Sequence, residues 1–359
     1  MFDGAMKLRK GQPSVKLKKA EFEKRYLEQF YDPAFSEVEN ELKKITAIAW
    51  EAYVDGRKAP VTEKAGSRFK NPDYNLSSQW LATSNRLKSV ERLQKKAKKS
   101  SILIICASSR NEHTCPGEIS KTYRLSKIAE RKIKSSGFET EFLDLSRVTA
   151  EYGKKIHPCK ACVSTAMPLC HWPCSCYPHH SGGQTQDWMS EIYEMWTRAH
   201  GVMILTPVHW SQAPSPLKLM MDRLVCADGG NPDPTSTLGK KAVLAKEIET
   251  KGWDYPQHLK GRAFSVFVHG DSSGDENLRR MLVDWLNDMG LIDSGPRAQI
   301  NRYIGYYEDY ATSHEALDKD KAVQEEAEVA AQALIMQVQQ IRSGKLKISS
   351  MTLKEPRKK

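Results

Sequence analysis

Short apolar runs alternate with segments of helical spacing from residue 101 onward, and this alternation restricts the chain to few folds. The first run, Ile102-Leu103-Ile104-Ile105, is bounded by turn signals and predicts a strand buried on both faces. Further strands are predicted at 138–145, 201–206, 240–247 and 262–269, and helices at about 120–136, 187–198, 215–226, 277–289 and 314–342. Strands and helices in this order predict an α/β sandwich with a mainly parallel, five-stranded sheet.

Three loops follow predicted strands, at 108–122, 206–214 and 269–272. Because parallel strands end at the same edge of a sheet, we expect these loops to meet at one side, where α/β proteins bind ligands. The first loop is rich in hydroxyls and leads into a helix N-terminus, which favours an anion such as phosphate. A serine at such a turn also caps a helix without touching a ligand, so each hydroxyl has two interpretations.

Charge is concentrated at the two ends of the 359-residue chain, whose net charge is +11. Residues 1–100 carry 22 Lys/Arg against 13 Asp/Glu, and residues 345–359 carry six against one. Basic ends permit a nucleic-acid-associated protein, but solvated charge accounts for them more simply, so we expect no nucleic-acid partner. No apolar run approaches the ~18 residues of a membrane span, and no secretory signal is recognised. We therefore expect a cytoplasmic protein.

The residues before the first strand of the alternation form a predicted helical extension, 1–99, that is basic overall. Apolar residues at helical spacing predict helices at 21–31, 35–53 and 77–99, with residues 1–20 loosely ordered. We expect the extension to cover one sheet face or to serve as an arm between subunits. The main domain is predicted at 100–343, with a Cys-rich insertion at 153–183, and a basic tail at 344–359.

The segment TPVHWSQAPSPLKLMMDR (206–223) resembles a signature of the NADPH-dependent FMN reductases of the flavodoxin-like superfamily. The Cys-rich stretch followed by Asp187-Trp188-Met189 is also similar to iron–sulfur flavoproteins. The resemblance covers about 100–300 and implies a flavodoxin-like three-layer sandwich that binds FMN. It also implies a homo-oligomer, because related reductases hold the flavin at or near a subunit interface.

The resemblance assigns roles to the matching positions of the three loops. It implies that the FMN phosphate is bound by Ser108, Arg110, Ser120 and Thr122. It implies that the second loop, with Thr206, lines the isoalloxazine through Pro207, Val208, His209 and Trp210. Gly270 and Asp271 would close over the polar edge of the ring. His209 stands where the family usually has tyrosine.

Five of the eight cysteines fall within eighteen residues, in the pattern Cys159-x2-Cys162-x7-Cys170-x3-Cys174-x-Cys176. Thiolates at such spacing suit Zn²⁺ or an iron–sulfur cluster, and free thiols near a flavin are a further possibility. The candidate ligands of a [4Fe–4S] cluster are Cys159, Cys162, Cys170 and Cys174. The closely spaced third cysteine of iron–sulfur flavoproteins is absent here, with Ser164 and Thr165 in its region.

We therefore expect an FMN-dependent oxidoreductase that passes hydride from NAD(P)H to bound FMN and on to a small acceptor, such as a flavin or a quinone. No side-chain acid or base is needed, because the flavin carries the redox chemistry and the protein supplies orientation. The alternative is an iron–sulfur flavoprotein that carries single electrons between protein partners.

Overall fold

The computed structural model describes residues 13–114, 120–309 and 312–346. Within these ranges the chain groups into two compact units. One unit, here called the cysteine unit, contains the described residues up to Asn85 together with His157–Ser190 and Gly229–Pro256. The other, here called the sheet unit, contains Arg86–Ile156, Glu191–Asp228 and the described residues from Gln257 onward. The sequence did not indicate that the extension, the Cys-rich stretch and a third segment share one unit.

Helices and strands are numbered here in chain order. The strands are β1 (Thr62–Lys64), β2 (Asn75–Ser77), β3 (Ser101–Cys106), β4 (Glu139–Asp144), β5 (Gly201–Pro207), β6 (Ala263–Gly270), β7 (Ile292–Asp293) and β8 (Gln299–Tyr303). The α-helices are α1 (Lys19–Leu27), α2 (Glu39–Val54), α3 (Ser78–Lys96), α4 (Lys121–Ser135), α5 (Arg147–Ala150), α6 (Met189–Arg198), α7 (Ser215–Arg223), α8 (Ala242–Thr250), α9 (Asp275–Asp288), α10 (Ser313–Lys319) and α11 (Lys321–Arg342). Short 3₁₀ segments lie at Glu28–Phe30, Pro33–Val38, Cys162–Ser164, Met167–Leu169, His180–Gly182, Leu224–Ala227, Pro234–Thr237 and Pro296–Ala298.

The sheet unit is built on a parallel sheet in which β4, β3, β5 and β6 are successive neighbours. The fifth position is divided, because β7 pairs with the start of β6 and β8 with the rest of it. This order is that of the flavodoxin-like doubly wound sheet, whose switch point lies between β3 and β5. The predicted fold class is therefore confirmed.

Helices cover both faces of this sheet. Strand residues alternate between the faces, and Ile102 and Ile104 pack with Met203 and Leu205 beneath α4 and α11. On the other face α9 contacts β6, and Trp285 of α9 meets Trp196 of α6 edge to face at 6.1 Å. In β3, β5 and β6 every residue is buried except one at an end of each strand, so the strands that carry the cavity loops are held in the core.

The predicted strand at 240–247 is wrong, because that stretch begins helix α8. Ala245 is buried and Ala242, Leu244, Ile248 and Glu249 are half-buried, so the inward residues recur every three to four positions, while Val243 is exposed. This is the spacing of a helix with one buried face, and Ala, Lys and Glu favour helix. The predicted helix at 314–342 is interrupted at Asp320, whose carboxylate accepts a hydrogen bond from the Val323 amide and caps α11.

The cysteine unit combines helices with a small hairpin. Strands β1 and β2 pair antiparallel, and a cluster with Phe69, Leu76 and Trp80 packs beside them. Helices α1 and α2 pack through aromatic rings, and the ring centroids of Phe22 and Tyr53 lie 4.8 Å apart. Within the described residues, none of the helices is both long and apolar enough to cross a bilayer. The predicted loose order of 1–20 and the predicted tail at 344–359 fall mostly outside those residues.

Candidate functional site

A cavity of about 110 Å³ opens in the sheet unit where β3, β5 and β6 end. It contains nine of the eleven predicted site residues: Ser108, Arg110, Ser120, Thr122, Pro207, Val208, His209, Gly270 and Asp271. Thr206 and Trp210 are not among its lining residues. Three further residues line it, Lys121, His269 and Ile304, which were not among the predicted site residues. Lys121 had a signal in the sequence, since it is the first residue of the helix that follows the loop.

The first loop is held by its own side chains. Ser108 is buried, and its hydroxyl accepts a hydrogen bond from the Arg110 amide at 3.1 Å. The side-chain amide of Asn111 donates to the carbonyl of Ser146 at 3.0 Å. These two hydrogen bonds fix the backbone between Ser108 and Asn111, and therefore the position of Arg110. Cys115 and residues 116–119, the middle of the predicted phosphate loop, lie outside the described residues.

Helix α4 begins at the cavity. The Ser120 hydroxyl accepts a hydrogen bond from the Tyr123 amide at 3.0 Å, so Ser120 is a helix cap as well as a lining residue. The N–H groups of the first helical turn point along the axis, and the dipole places partial positive charge at this end. Arg110 and Lys121 add two cationic side chains to the lining. This end of the cavity is therefore suited to an anion.

Thr122 and His269 meet beneath the cavity. The Thr122 hydroxyl lies 2.8 Å from Nε2 of His269, and both residues are buried. Burial, together with the charge of Lys121, lowers the pKa of His269 to about 3. His269 is therefore neutral near pH 7, and its contact with Thr122 ties the end of β6 to the start of α4.

The second loop forms a tight hairpin. The amides and carbonyls of His209 and Gln212 exchange two hydrogen bonds of 2.9 Å across Trp210 and Ser211. Both central residues have positive φ, 48° and 61°, which is the type I′ geometry that usually takes Asn or Gly. Trp210 is 98% exposed at the tip, outside the cavity lining. Burial lowers the pKa of His209, which does line the cavity.

The third loop packs directly on the second. Gly274 has a φ of 106°, and a Cβ on it would lie 2.6 Å from Cα of Ser211. A Cβ on Gly270 would approach Val208 to 3.3 Å. Only glycine lets the two loops come this close at Gly274, and their contact places Asp271 beside the second loop at the cavity.

A second cluster of chemically active side chains lies in the cysteine unit. The sulfurs of Cys162 and Cys176 are 3.2 Å apart. Nζ of Lys240 donates to both, at 3.2 Å and 3.3 Å. The hydrogen bond with Cys176, reinforced by Lys240 against the effect of burial, lowers the pKa of Cys162 to about 5. The pKa of Cys176 is raised, first because its thiol is hydrogen-bonded to Cys162.

The predicted cluster ligands are not assembled into a metal site. Across the part of the chain that the structure describes, no group of three or more His, Cys, Asp or Glu side chains has the arrangement of one. Cys162 instead pairs with Cys176, which was not in the predicted set, and the Lys240 ammonium contacts both sulfurs. These donors do not fit an iron–sulfur cluster, so no reaction step is assigned to one.

The fold and the first cavity together define a flavodoxin-like α/β protein with a cavity at the carboxyl ends of its central strands. The chain belongs to the NADPH-dependent FMN reductase family, whose family model matches residues 100–295. This membership supports an FMN-dependent oxidoreductase.

Individual similarities are weaker than the family match. An iron–sulfur flavoprotein of Archaeoglobus fulgidus is 34% identical over 103 residues, which are 28% of this chain and 44% of the relative. The chain thus matches less than half the length of that relative. Among solved structures, RosB bound to 8-demethyl-8-formylriboflavin-5′-phosphate is 14% identical, with a TM-score of 0.47 over 68% of this chain and 81% of its own. The apo form of the NADH:FMN oxidoreductase EMOB is 14% identical, with a TM-score of 0.37 over 66% and 89%.

Proposed function

We propose that this chain binds FMN with the phosphate in the 110 Å³ cavity and transfers hydride from a reduced nicotinamide to it, and then electrons to a small acceptor. The observation that carries the proposal is the pairing of two cations, Arg110 and Lys121, with the N-terminus of α4 at one cavity end. A phosphate monoester carries nearly two negative charges at pH 7, and helix N-termini and arginine bind such groups.

The size of the cavity supports a divided binding mode. About 110 Å³ is well below the usual range of sites that enclose a whole cofactor, which begins near ~300 Å³. The cavity accommodates the phosphate end, and the ring would lie along the loop surface formed by Pro207, His209 and Asp271. The exposed indole of Trp210 then offers an apolar face at the hairpin tip.

The protein residues supply orientation and charge in this reaction. FMN, when bound, would supply the redox chemistry. Arg110 and Lys121 hold the phosphate, while the contact between Gly274 and Ser211 fixes the loops beside the ring. His269 is neutral and already bonded to Thr122, so it keeps the cavity floor in place and takes no part in proton transfer. Proximity of nicotinamide and ring is the main rate contribution.

An anaerobic reduction experiment tests this function. The FMN-loaded protein is mixed with NADPH or NADH without oxygen, and the visible absorption of the flavin is followed. We expect complete bleaching by at least one nucleotide, faster than for free FMN under the same conditions. A flavin that binds but is not reduced faster than free FMN would contradict hydride transfer and leave the binding site intact. The preferred nucleotide, the acceptor and the predicted homo-oligomer stay predictions, the last testable by sedimentation.

A further inference from the structure

Lys240 marks a second reactive site, in the cysteine unit. Its ammonium donates to Sγ of Cys162, to Sγ of Cys176 and to the carbonyl of Leu169 at 3.0 Å, so its three donors have three acceptors. A partly buried cation needs a nearby negative charge, and the two sulfurs are its nearest candidates. Because the ammonium contacts both sulfurs, it stabilises a negative charge on whichever of them loses its proton.

The two sulfurs are not equivalent. Cys162 is partly exposed, whereas Cys176 is buried. Ala161, directly before Cys162, has a φ of 49°, a costly conformation for alanine that the surrounding structure must enforce. Such strain recurs at functional sites, and here it sets the position of the more accessible sulfur.

The surroundings of the pair are positively charged. Nζ of Lys160 lies 5.0 Å from the ring centroid of Tyr177, the residue that follows Cys176. Lys240 also borders a cavity of about 370 Å³, whose lining includes Lys58 and the aromatic residue Tyr177. None of its described lining residues is acidic, and its volume lies in the range of small-molecule sites.

We propose that Cys162 and Cys176 form a redox-active dithiol that reduces small, negatively charged disulfides admitted beside Lys240. The Cys162 thiolate attacks one sulfur of the substrate, forms a mixed disulfide and expels the first thiolate. The Cys176 thiol, 3.2 Å away, then loses its proton and attacks Sγ of Cys162, which closes the protein disulfide and releases the second thiolate. The two protons of the dithiol end on the two product thiols, and two electrons pass to the substrate.

Two disulfides of opposite charge test the proposal. The full-length, reduced protein is mixed at low salt with glutathione disulfide, which is anionic, or with cystamine, which is cationic. Thiol loss is timed, and linked peptides are mapped by mass spectrometry. We expect two of the eight thiols to be lost, a Cys162–Cys176 linkage, and at least tenfold faster reaction with glutathione disulfide. Equal rates, a different linkage, or stoichiometric iron or zinc held by these cysteines would overturn the proposal.

Variants separate the attacking thiol from the resolving one. Cys176→Ser should trap one glutathione on Cys162, and Cys162→Ser should abolish the reaction. Ser164→Ala, at an exposed side chain two positions from Cys162, is the matched control and should react like the unaltered protein. A Cys176→Ser protein that gains no glutathione would contradict the assigned order. Because these experiments measure thiol content, a negative result for the dithiol is distinguishable from a failure of flavin binding.

Lys240 has its own matched control. Lys240→Gln should slow the reaction with glutathione disulfide at least tenfold, whereas Lys240→Arg, which keeps the charge, should retain most of the rate. Lys241→Gln alters an exposed lysine one position along and should change nothing. If Lys240→Gln fails to fold, Lys240→Arg and the comparison of the two disulfides test the role of Lys240 instead. Loss of activity in Lys240→Arg, together with equal rates for glutathione disulfide and cystamine, would refute that role.

Discussion

The hydroxyl of Thr122, in the first turn of α4, lies 2.8 Å from Nε2 of His269, near the end of β6. This hydrogen bond joins two elements that carry different cavity loops, and it is made by a histidine held neutral by burial. It also gives Thr122 a structural role, because its hydroxyl is engaged below the cavity while the residue still lines it.

Acid should weaken the fold through His269. Its pKa is about 6.5 in the unfolded chain and about 3 in the folded one, so between these values the unfolded state binds more protons. The free energy of unfolding that neutral His269 contributes is complete above pH 6.5. It is lost as the pH falls toward 3, by up to about 1.4 kcal/mol per pH unit. His269→Gln should flatten the fall in unfolding free energy measured with guanidinium between pH 6.5 and 4.5.

His113 is the control for this effect, because it is exposed. His113→Gln should leave the slope unchanged. An unaltered slope in His269→Gln would mean that His269 is not the buried neutral group described here.

Gly274 should resist substitution more than a glycine with similar backbone angles. In Gly274→Ala the alanine must adopt a positive φ, and its Cβ would lie 2.6 Å from Cα of Ser211. We expect a loss of roughly 1–3 kcal/mol beyond the strain of positive φ, from overpacking, together with weaker FMN binding. Chemical denaturation and flavin fluorescence titration measure the two effects.

Gly183→Ala isolates the backbone strain, because Gly183 has a φ of 66°, a ψ of 20° and no atom within 4 Å of its Cβ position. It should cost about 1 kcal/mol and leave FMN affinity unchanged. Equal losses in both variants would show that the contact between the loops does not matter.

Replacing Trp210 should preserve or raise the stability of the fold and weaken flavin binding. It is exposed and strained, so Trp210→Gly should keep or raise stability, by up to about 1 kcal/mol. If the indole packs on the ring, FMN and riboflavin should both bind more weakly, by about 0.5–1.5 kcal/mol. Tyr307→Gly is the control, since Tyr307 is 96% exposed at a φ of 52° and does not line the cavity. Unchanged flavin affinity in Trp210→Gly would show that the indole does not contact the flavin.

The sequence predicted the elements with strong periodicity and the loops between them. Strands β3 and β5 are apolar apart from Ser101 and Thr206, and α4 begins where a serine cap precedes an amphipathic helix. The fifth sheet position was missed because β7 has two residues and β8, with sequence QINRY, is half-exposed and polar. An edge strand of this kind has no apolar run to reveal it.

The pairing of side chains across distant segments was beyond sequence reasoning. Cys162 and Cys176 are fourteen positions apart and Lys240 lies 64 positions beyond Cys176, so the spacing of the cysteines left free thiols, an iron–sulfur cluster and zinc open and did not indicate this group. His269 is the first residue of the third predicted loop, but its bond to Thr122 depends on the crossover that brings α4 to β6. Trp210 was predicted as a ring wall, and the hairpin that exposes it requires positive φ at a residue type that rarely adopts it.

The binding of FMN and riboflavin to the unaltered protein and to Arg110→Ala tests the central claim most directly. The two ligands differ only in the phosphate, so the unaltered protein should prefer FMN, and Arg110→Ala should lose about 1–3 kcal/mol for FMN and nothing for riboflavin. Arg131→Ala, on an exposed face of α4, should bind both as before. If the unaltered protein binds riboflavin as tightly as FMN, or Arg110→Ala keeps the full preference, the phosphate does not lie in this cavity.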